Sequence, residues 1–201
     1  MTKVLEFPSV TEWLEAIEGC PAAIMPANLA AEALGESVNA ITKKMKNGTI
    51  PVIKIGKREF ISAQYIREKA TQADNRIKIV RGILKKLAKN RSFTFYGEVM
   101  EKVGLNWQSP PDRKEIANIL GEISHKSYRK HGIFLSSIVH RKMAQPSHPG
   151  PGYKKLFTNM MEEGLTFDFD IDDPQIYKTH MEEVWGYYSK NGDEDPSDKE
   201  D

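Results

Sequence analysis

Apolar positions recur at helical spacing along most of the chain and alternate in only a few short runs. Val10 to Glu18 places Trp13, Leu14 and Ile17 on one face, with Ser9 or Thr11 as cap, and predicts a helix after a short strand or extended arm. Pro26 to Leu34 predicts a second short helix, with proline in its first turn and Gly35 as its stop. Ser37 caps a third, Val38 to Asn47, which ends before Gly48. The break between the two, Gly35-Glu36-Ser37, gives a helix-turn-helix pattern. After Pro51, Val52 to Ile55 and Arg58 to Ile61 read as strands, joined by a Gly56-Lys57 pair suited to a two-residue type II′ hairpin. Ser62 then caps a helix over about Ala63 to Gln72.

Further on, Asn75 to Lys89 predicts an amphipathic helix with Ile77, Val80, Ile83, Leu84 and Leu87 on one side. Its stripe Ile77, Val80, Leu84, Leu87 has the spacing of a coiled-coil seam, so it either pairs two chains as a homodimer or packs internally. Phe95 to Val103 reads as a shorter helix stopped by Gly104, and Asn106 to Pro111 as a loop. Asp112 with Glu115 opens a long helix to about Lys130, burying Ile116, Ile119, Leu120 and Ile123 and stopping at Gly132. Ile133 to Arg141 alternates in part as a strand, and Ala144 to Tyr153 is a Pro/Gly loop. Phe167, Phe169 and Ile171 alternate with Asp168, Asp170 and Asp172 as a further strand, and Pro174 to Lys190 reads as a helix carrying Met181, Val184, Trp185 and Tyr188. The last stretch, from Asn191, has a disordered composition.

Net charge is +1, but the charges are segregated. Residues 36 to 91 carry 15 Lys and Arg against four Asp and Glu, whereas residues 156 to 201 carry three against 14. Such a concentration creates a local field that attracts polyanions. On a helical wheel at ~100° per residue, Ile41 and Met45 fall beside Val38, while Asn39, Lys43, Lys46 and Asn47 fall opposite. That outward face joins phosphate-seeking ammonium groups to amides able to make paired hydrogen bonds to adenine in a major groove that admits one helix, with Asn39, Asn47 and Thr42 as the expected base readers and Ser37 at the helix start. Lys54, Lys57 and Arg58 sit on or near the hairpin tip, placed to straddle the adjoining backbone. The acidic end either competes with DNA for this basic surface or serves solubility.

The order AIMPANLAAEALGESVNAITKKMKNGTIPVIKIGKREFISAQYIREKA resembles the winged helix-turn-helix of the excisionase and MerR-like families. The resemblance covers residues 22 to 72 and implies that Ser37 to Asn47 is the recognition helix and that Lys54, Lys57 and Arg58 belong to the wing. The tryptophan or tyrosine usual in the middle of that helix is replaced by Lys44 and Met45. Residues 93 to 153, through FYGEVMEKVG, ANILGEIS, LSSIVHRK and PGPGY, resemble the DNA-binding part of alkyltransferase-like proteins without the reactive cysteine, since Cys20 lies far away. This implies a second DNA surface bearing Arg113, Lys114, Lys126, Arg129 and Lys130, against the plainer reading of a solvated helix face. The expected fold is mainly α with small β-hairpins: a winged helix-turn-helix over 1 to 73, a second α+β domain of winged-helix type over 74 to 155, an acidic strand-helix extension over 156 to 190, and a disordered acidic tail over 191 to 201.

Other chemistries lack their parts. The single cysteine excludes a disulfide within the chain and a thiolate metal cluster, and a reducing, cytoplasmic setting fits it best. The start has no export signal, and no apolar run is long enough for a bilayer. His125, His131, His140 and His148 show no HExxH or paired Cys/His spacing. The carboxylates Asp168, Asp170, Asp172 and Asp173 lack the glycine and the closing glutamate of a calcium loop. There is no GxxxxGKS or GxGxxG phosphate cradle. We therefore expect no enzyme activity, no metal, no cofactor, no small-molecule ligand and no membrane, with double-stranded DNA as the partner. The expected role is a transcriptional regulator, a repressor by occupancy, of a bacterial phage or mobile element. The alternatives are an excisionase-type factor that bends DNA for an integrase, which the large second half disfavours, and a nuclease or base-modifying enzyme using the C-terminal part.

Overall fold

The computed structural model describes residues 9–16, 20, 23–142, 151–170, 173 and 175–191. It is mainly helical, with eight α-helices among these residues and a small three-stranded antiparallel sheet. The chain divides into two compact units, Met1–Asn75 and Arg76–Asp201.

The first unit begins with α1 (Val10–Ala16), whose first turn is capped by the Ser9 hydroxyl accepting from Glu12 N at 3.1 Å. β1 (Ile24–Met25) leads into α2 (Ala27–Ala33), with Pro26 at the cap position and not in the first turn. α2 closes as Gly35 N and Glu36 N return to the carbonyls of Glu32 and Ala31, which requires the left-handed φ of +60° that Gly35 supplies. One residue on, Ser37 Oγ accepts from Ala40 N at 3.2 Å and starts α3 (Val38–Lys46). The hairpin β2 (Val52–Ile55) and β3 (Arg58–Ser62) pairs Ile55 with Arg58 across a two-residue turn. Gly56 has φ +60° and Lys57 does not take a positive φ, as a type II′ turn requires. Gly56→Ala is therefore expected to lose about 1–2 kcal/mol, read as a lower urea midpoint. The same loss at Lys57→Ala would place the strain elsewhere.

Sheet order is β1-β3-β2, so β3 lies in the middle. Its Ile61 is fully buried with Met25, Ala30, Ile41, Ile50 and Ile66, the core of this unit, onto which Leu14, Trp13 and Val52 pack. β1 has no counterpart in the sequence reading.

Several expectations are corrected along the rest of the chain. The helices expected over 63 to 72 and 75 to 89 are one 27-residue helix, α4 (Ala63–Lys89), because no glycine or proline interrupts residues 63 to 81. The long helix α6 (Pro110–His131) starts earlier than Asp112: Ser109 caps it, accepting from Asp112 N at 3.4 Å, and Pro110 and Pro111 form its first turn instead of ending a loop. The acidic segment around Phe167 is not a strand, since Leu165–Asp170 pairs with no neighbour among the described residues. Burial still alternates there, with Phe167 and Phe169 turned in and Asp168 and Asp170 turned out.

The second unit contains the later part of α4, β4 (Thr94–Phe95), α5 (Tyr96–Lys102), α6, a 3-10 turn (Leu135–Ile138), β5 (Val139–His140), α7 (Pro151–Glu162) and α8 (Ile176–Asn191). β4 and β5 pair in parallel, Thr94 with Val139 and Phe95 with His140, and the two residues of β5 are all the strand found in the segment read as Ile133 to Arg141. Pro151 to Tyr153, expected in a loop, open α7; the preceding Met143–Gly150 lies outside the described residues. One core joins Val80, Leu84 and Ala88 of α4 to Ile116, Ile119, Leu120 and Ile123 of α6, and to Val184 and Tyr188 of α8, with Ile77 and Leu87 packed against it. The stripe, read either as a seam between chains or as internal packing, is packed within one chain. α8, expected in a separate extension, belongs to this core, and Trp185 Nε1 donates to Ser92 O at 3.1 Å.

A second cluster is aromatic. Phe134, Tyr153 and Phe157 are buried, with Tyr128, Phe167 and Phe169 packed on them. His180 lies among them at 2% exposure, sharing a 2.9 Å hydrogen bond between its Nδ1 and the Tyr153 hydroxyl. Burial lowers its pKa from 6.5 to about 4 and raises that of Tyr153 well above its ordinary value. No helix among the described residues is long and apolar enough to cross a membrane. The acidic tail from Gly192 lies outside the described residues.

Candidate nucleic-acid interface

α3 turns Ile41 and Met45 into the core and leaves Asn39, Lys43 and Lys46 exposed on the opposite side. None of these three side chains makes a hydrogen bond or ion pair with another described residue, so their donors face solvent. Both ends of the helix are fixed. Ser37 holds the start, and at the other end Gly48 N and Thr49 N return to the carbonyls of Met45 and Lys44. Asn47 completes that turn, its Oδ1 accepting from Thr49 N at 3.1 Å and Thr49 Oγ1 at 2.7 Å.

The remaining groups assigned to this face are engaged locally. The Ser37 hydroxyl is the cap, Asn47 Oδ1 is held by Thr49, and the Thr42 hydroxyl donates to Val38 O at 2.8 Å. Lys44 is held by both oxygens of Glu36 at 2.6 and 2.7 Å. On the hairpin, Lys54 pairs across the strands with Glu59 at 3.3 Å, an exposed bridge that contributes little. Lys57 and Arg58, at the turn, are exposed and hold no such partner among the described residues. Of Ser37, Asn39, Thr42, Lys43, Lys46, Asn47, Lys54, Lys57 and Arg58, the five side chains with no hydrogen bond or ion pair to a described residue are therefore Asn39, Lys43 and Lys46 on the helix and Lys57 and Arg58 on the hairpin.

Val38 is 47% exposed, contrary to its expected core position, because it is the first helical residue and stands beyond the edge of the core. Ile53 and Ile55 are also exposed, at 39% and 55%. They share the hairpin face opposite the one through which Val52 and Ile61 reach the core. The sequence signal for this was in plain view, since both positions of the outward face of Val52–Ile55 are isoleucine.

The five residues of the expected second surface do not form one patch. Arg113 and Lys114 lie in the early turns of α6, and Arg129 and Lys130 near its end, roughly 24 Å away at 1.5 Å per residue. Arg113 Nη1 donates to Trp107 O at 3.2 Å, and Lys126 pairs with Glu122 at 2.8 Å. Arg129 donates to Glu163 at 3.1 Å, and His125 Nε2 lies 2.8 Å from the same carboxylate. These two hydrogen bonds, first from His125 and then from Arg129, hold the Glu163 carboxyl below its usual pKa.

The other described histidines have local roles. His131 Nδ1 meets the Tyr187 hydroxyl at 2.8 Å, and His140 Nε2 lies 3.1 Å from Ser137 O while its ring stacks on Phe93. No group of three His, Cys, Asp or Glu among the described residues is placed to hold a metal ion. His148 and Asp172 lie outside the described residues. Compared with known proteins, the chain matches no family model, no curated sequence and no solved structure.

Proposed function

We propose that the first unit is a winged helix-turn-helix and that the protein is a sequence-specific double-stranded DNA-binding regulator. It acts by occupancy as a repressor, in the setting of a bacterial phage or mobile element that the excisionase and MerR-like resemblance implies. The observation that carries this reading is the unpartnered face of α3, where Asn39, Lys43 and Lys46 stand between two fixed helix ends. The nine-residue helix is about 13 Å long, comparable to the ~12 Å width of the major groove. Asn39 supplies a paired donor and acceptor for a base edge, while Lys43, Lys46, Lys57 and Arg58 contact phosphates and release counterions. Ser37 and Asn47 act by holding the helix ends.

The test begins with selection of a bound site from random duplex, followed by titration of variants. Asn39→Ala is expected to weaken binding to the selected site by about 1–3 kcal/mol and to leave binding to random duplex nearly unchanged. Lys43→Ala is expected to weaken both and to lower the slope of affinity against salt by about 1. If Asn39→Ala binds the selected site as the wild type does, Asn39 takes no part in reading bases. If no site is enriched at all, the regulator reading fails.

A further inference from the structure

A cleft of about 1050 Å³ opens within the second unit, and the DNA-reading face of the first unit makes no use of it. Met100, Leu105 and Ile116 line its buried part. The half-buried rings of Phe95 and Tyr96 and the exposed ring of Trp107 line the rest, with Arg113, Arg141 and Lys142 at the solvent side. Its size is at the upper end of the roughly 300–1,000 Å³ usual for small-ligand sites.

Two features distinguish it from an incidental groove. Trp107 is 61% exposed, more than any other large hydrophobic residue described, yet the loop that carries it is held from several sides. Asn106 N donates to Asp112 Oδ2 at 2.8 Å, Gln108 N donates to Asn106 Oδ1 at 2.9 Å, and the Arg113 guanidinium holds Trp107 O. The Asn106 N–H, and after it the Ser109 hydroxyl, keep the Asp112 carboxyl below its ordinary pKa. An exposed indole on a fixed loop is a stacking surface that needs little further ordering to bind.

The second feature is the charge beside the rings. Arg141 and Lys142 are exposed and hold no hydrogen bond or ion pair with a described residue. Of the two carboxylates in the lining, Glu98 accepts from Thr94 Oγ1 at 2.8 Å and Phe95 N at 3.4 Å, leaving Glu101 as the other. Aromatic faces beside uncommitted cations match a flat ring that carries an anionic group.

We propose that this cleft binds a nucleobase carrying a phosphate, the base stacked among Trp107, Tyr96 and Phe95 and the phosphate held by Arg141, Lys142 and Arg113. A free nucleotide and an unpaired nucleic-acid strand present the same unit, and the proposal stands apart from the reading of the first unit.

The experiment uses the full chain, with equilibrium dialysis and tryptophan fluorescence against the four deoxynucleoside 5′-monophosphates and, separately, a thymidine octamer. Binding of at least one probe is expected, with Trp107→Ala and Arg141→Gln each weakening it roughly 10-fold or more. Gly97 also lines the cleft, and a Cβ built there meets no atom within 4 Å and needs no positive φ, so Gly97→Leu starts without a clash at its Cβ and adds apolar bulk to the lining. That variant is expected to unfold at the wild-type urea concentration and to lose binding. An octamer bound at least 10-fold more tightly than any mononucleotide assigns the unit to a strand; equal or tighter mononucleotide binding assigns it to a free nucleotide. The proposal is overturned if no probe binds at millimolar concentration. It is equally overturned if Gly97→Leu and Trp107→Ala bind as the wild type does, or if inorganic phosphate competes as well as the mononucleotide.

Discussion

Leu84→Asp is expected to unfold the second unit and not to turn a dimer into a folded monomer. Leu84 is fully buried between Val80 and Ala88 on α4 and packs in one cluster with α6 and α8 residues. Aspartate there removes the leucine contacts and places an unpaired carboxylate in an apolar core. Each effect alone costs on the order of 3–5 kcal/mol, a large fraction of the stability of most domains. Leu84→Met preserves volume and is expected to lose less than about 1.5 kcal/mol. Urea unfolding followed by circular dichroism, with sedimentation of the folded species, checks both. A Leu84→Asp protein that stays folded while its mass halves would show that the stripe pairs chains after all.

Acidification is the second large effect. In the folded chain His180 stays neutral down to about pH 4, whereas in the unfolded chain it takes up a proton near 6.5. Its folded pKa is the lower one, so the stability from keeping it neutral is fully present above pH 6.5 and is lost as pH falls towards 4. The loss approaches about 3 kcal/mol. Around it stand the Tyr153 hydroxyl on α7, which does not ionise in this range, and the rings of Phe134, Phe157 and Phe169. Nearby on α8 the Glu183 carboxyl has its pKa raised by burial and then by Asp168, so it acts in the opposite sense and reduces the net slope. Urea midpoints from pH 7 to pH 4 are expected to fall steadily. His180→Gln, which does not titrate, is expected to flatten that fall even if it lowers stability at pH 7. An unchanged slope in this variant would assign the acid sensitivity to other groups.

What the sequence disclosed follows the range of the interactions. The Gly35 and Gly48 stops, the Ser37 cap, the Gly56-Lys57 turn and the buried face Ile116, Ile119, Leu120, Ile123 all depend on residues within a few positions of one another, and each is present. Pairings made at a distance were not legible. β1 exists because Ile24 and Met25 lie opposite Ser62 and Ile61, and nothing within residues 20 to 26 signals that partner. The helices read separately over 63 to 72 and 75 to 89 have no proline or glycine between them, and α4 runs through both. The alternation of Phe167 and Phe169 was visible, but the aromatic cluster that attracts them comes from residues 128 to 157 and is not a neighbouring strand. On α3 the exposed face was readable from periodicity. Local engagement of Thr42 and Asn47 needed atomic positions, because a hydroxyl or amide can face outward and still be bound to its own helix or turn.

The return of α8 to the core begun by α4 sets an order of events during synthesis. The first unit has every residue of its core once Ile66 has been made, whereas the second lacks Val184 and Tyr188 until the ribosome has added 122 more residues beyond that point. At translation rates of about 5–20 residues per second the interval is roughly 6–25 s. Within it, the apolar side of α4 and the inner face of α6 wait, once made, without their last partner, and a nascent chain stalled before Val184 leaves them open to chaperones and proteases.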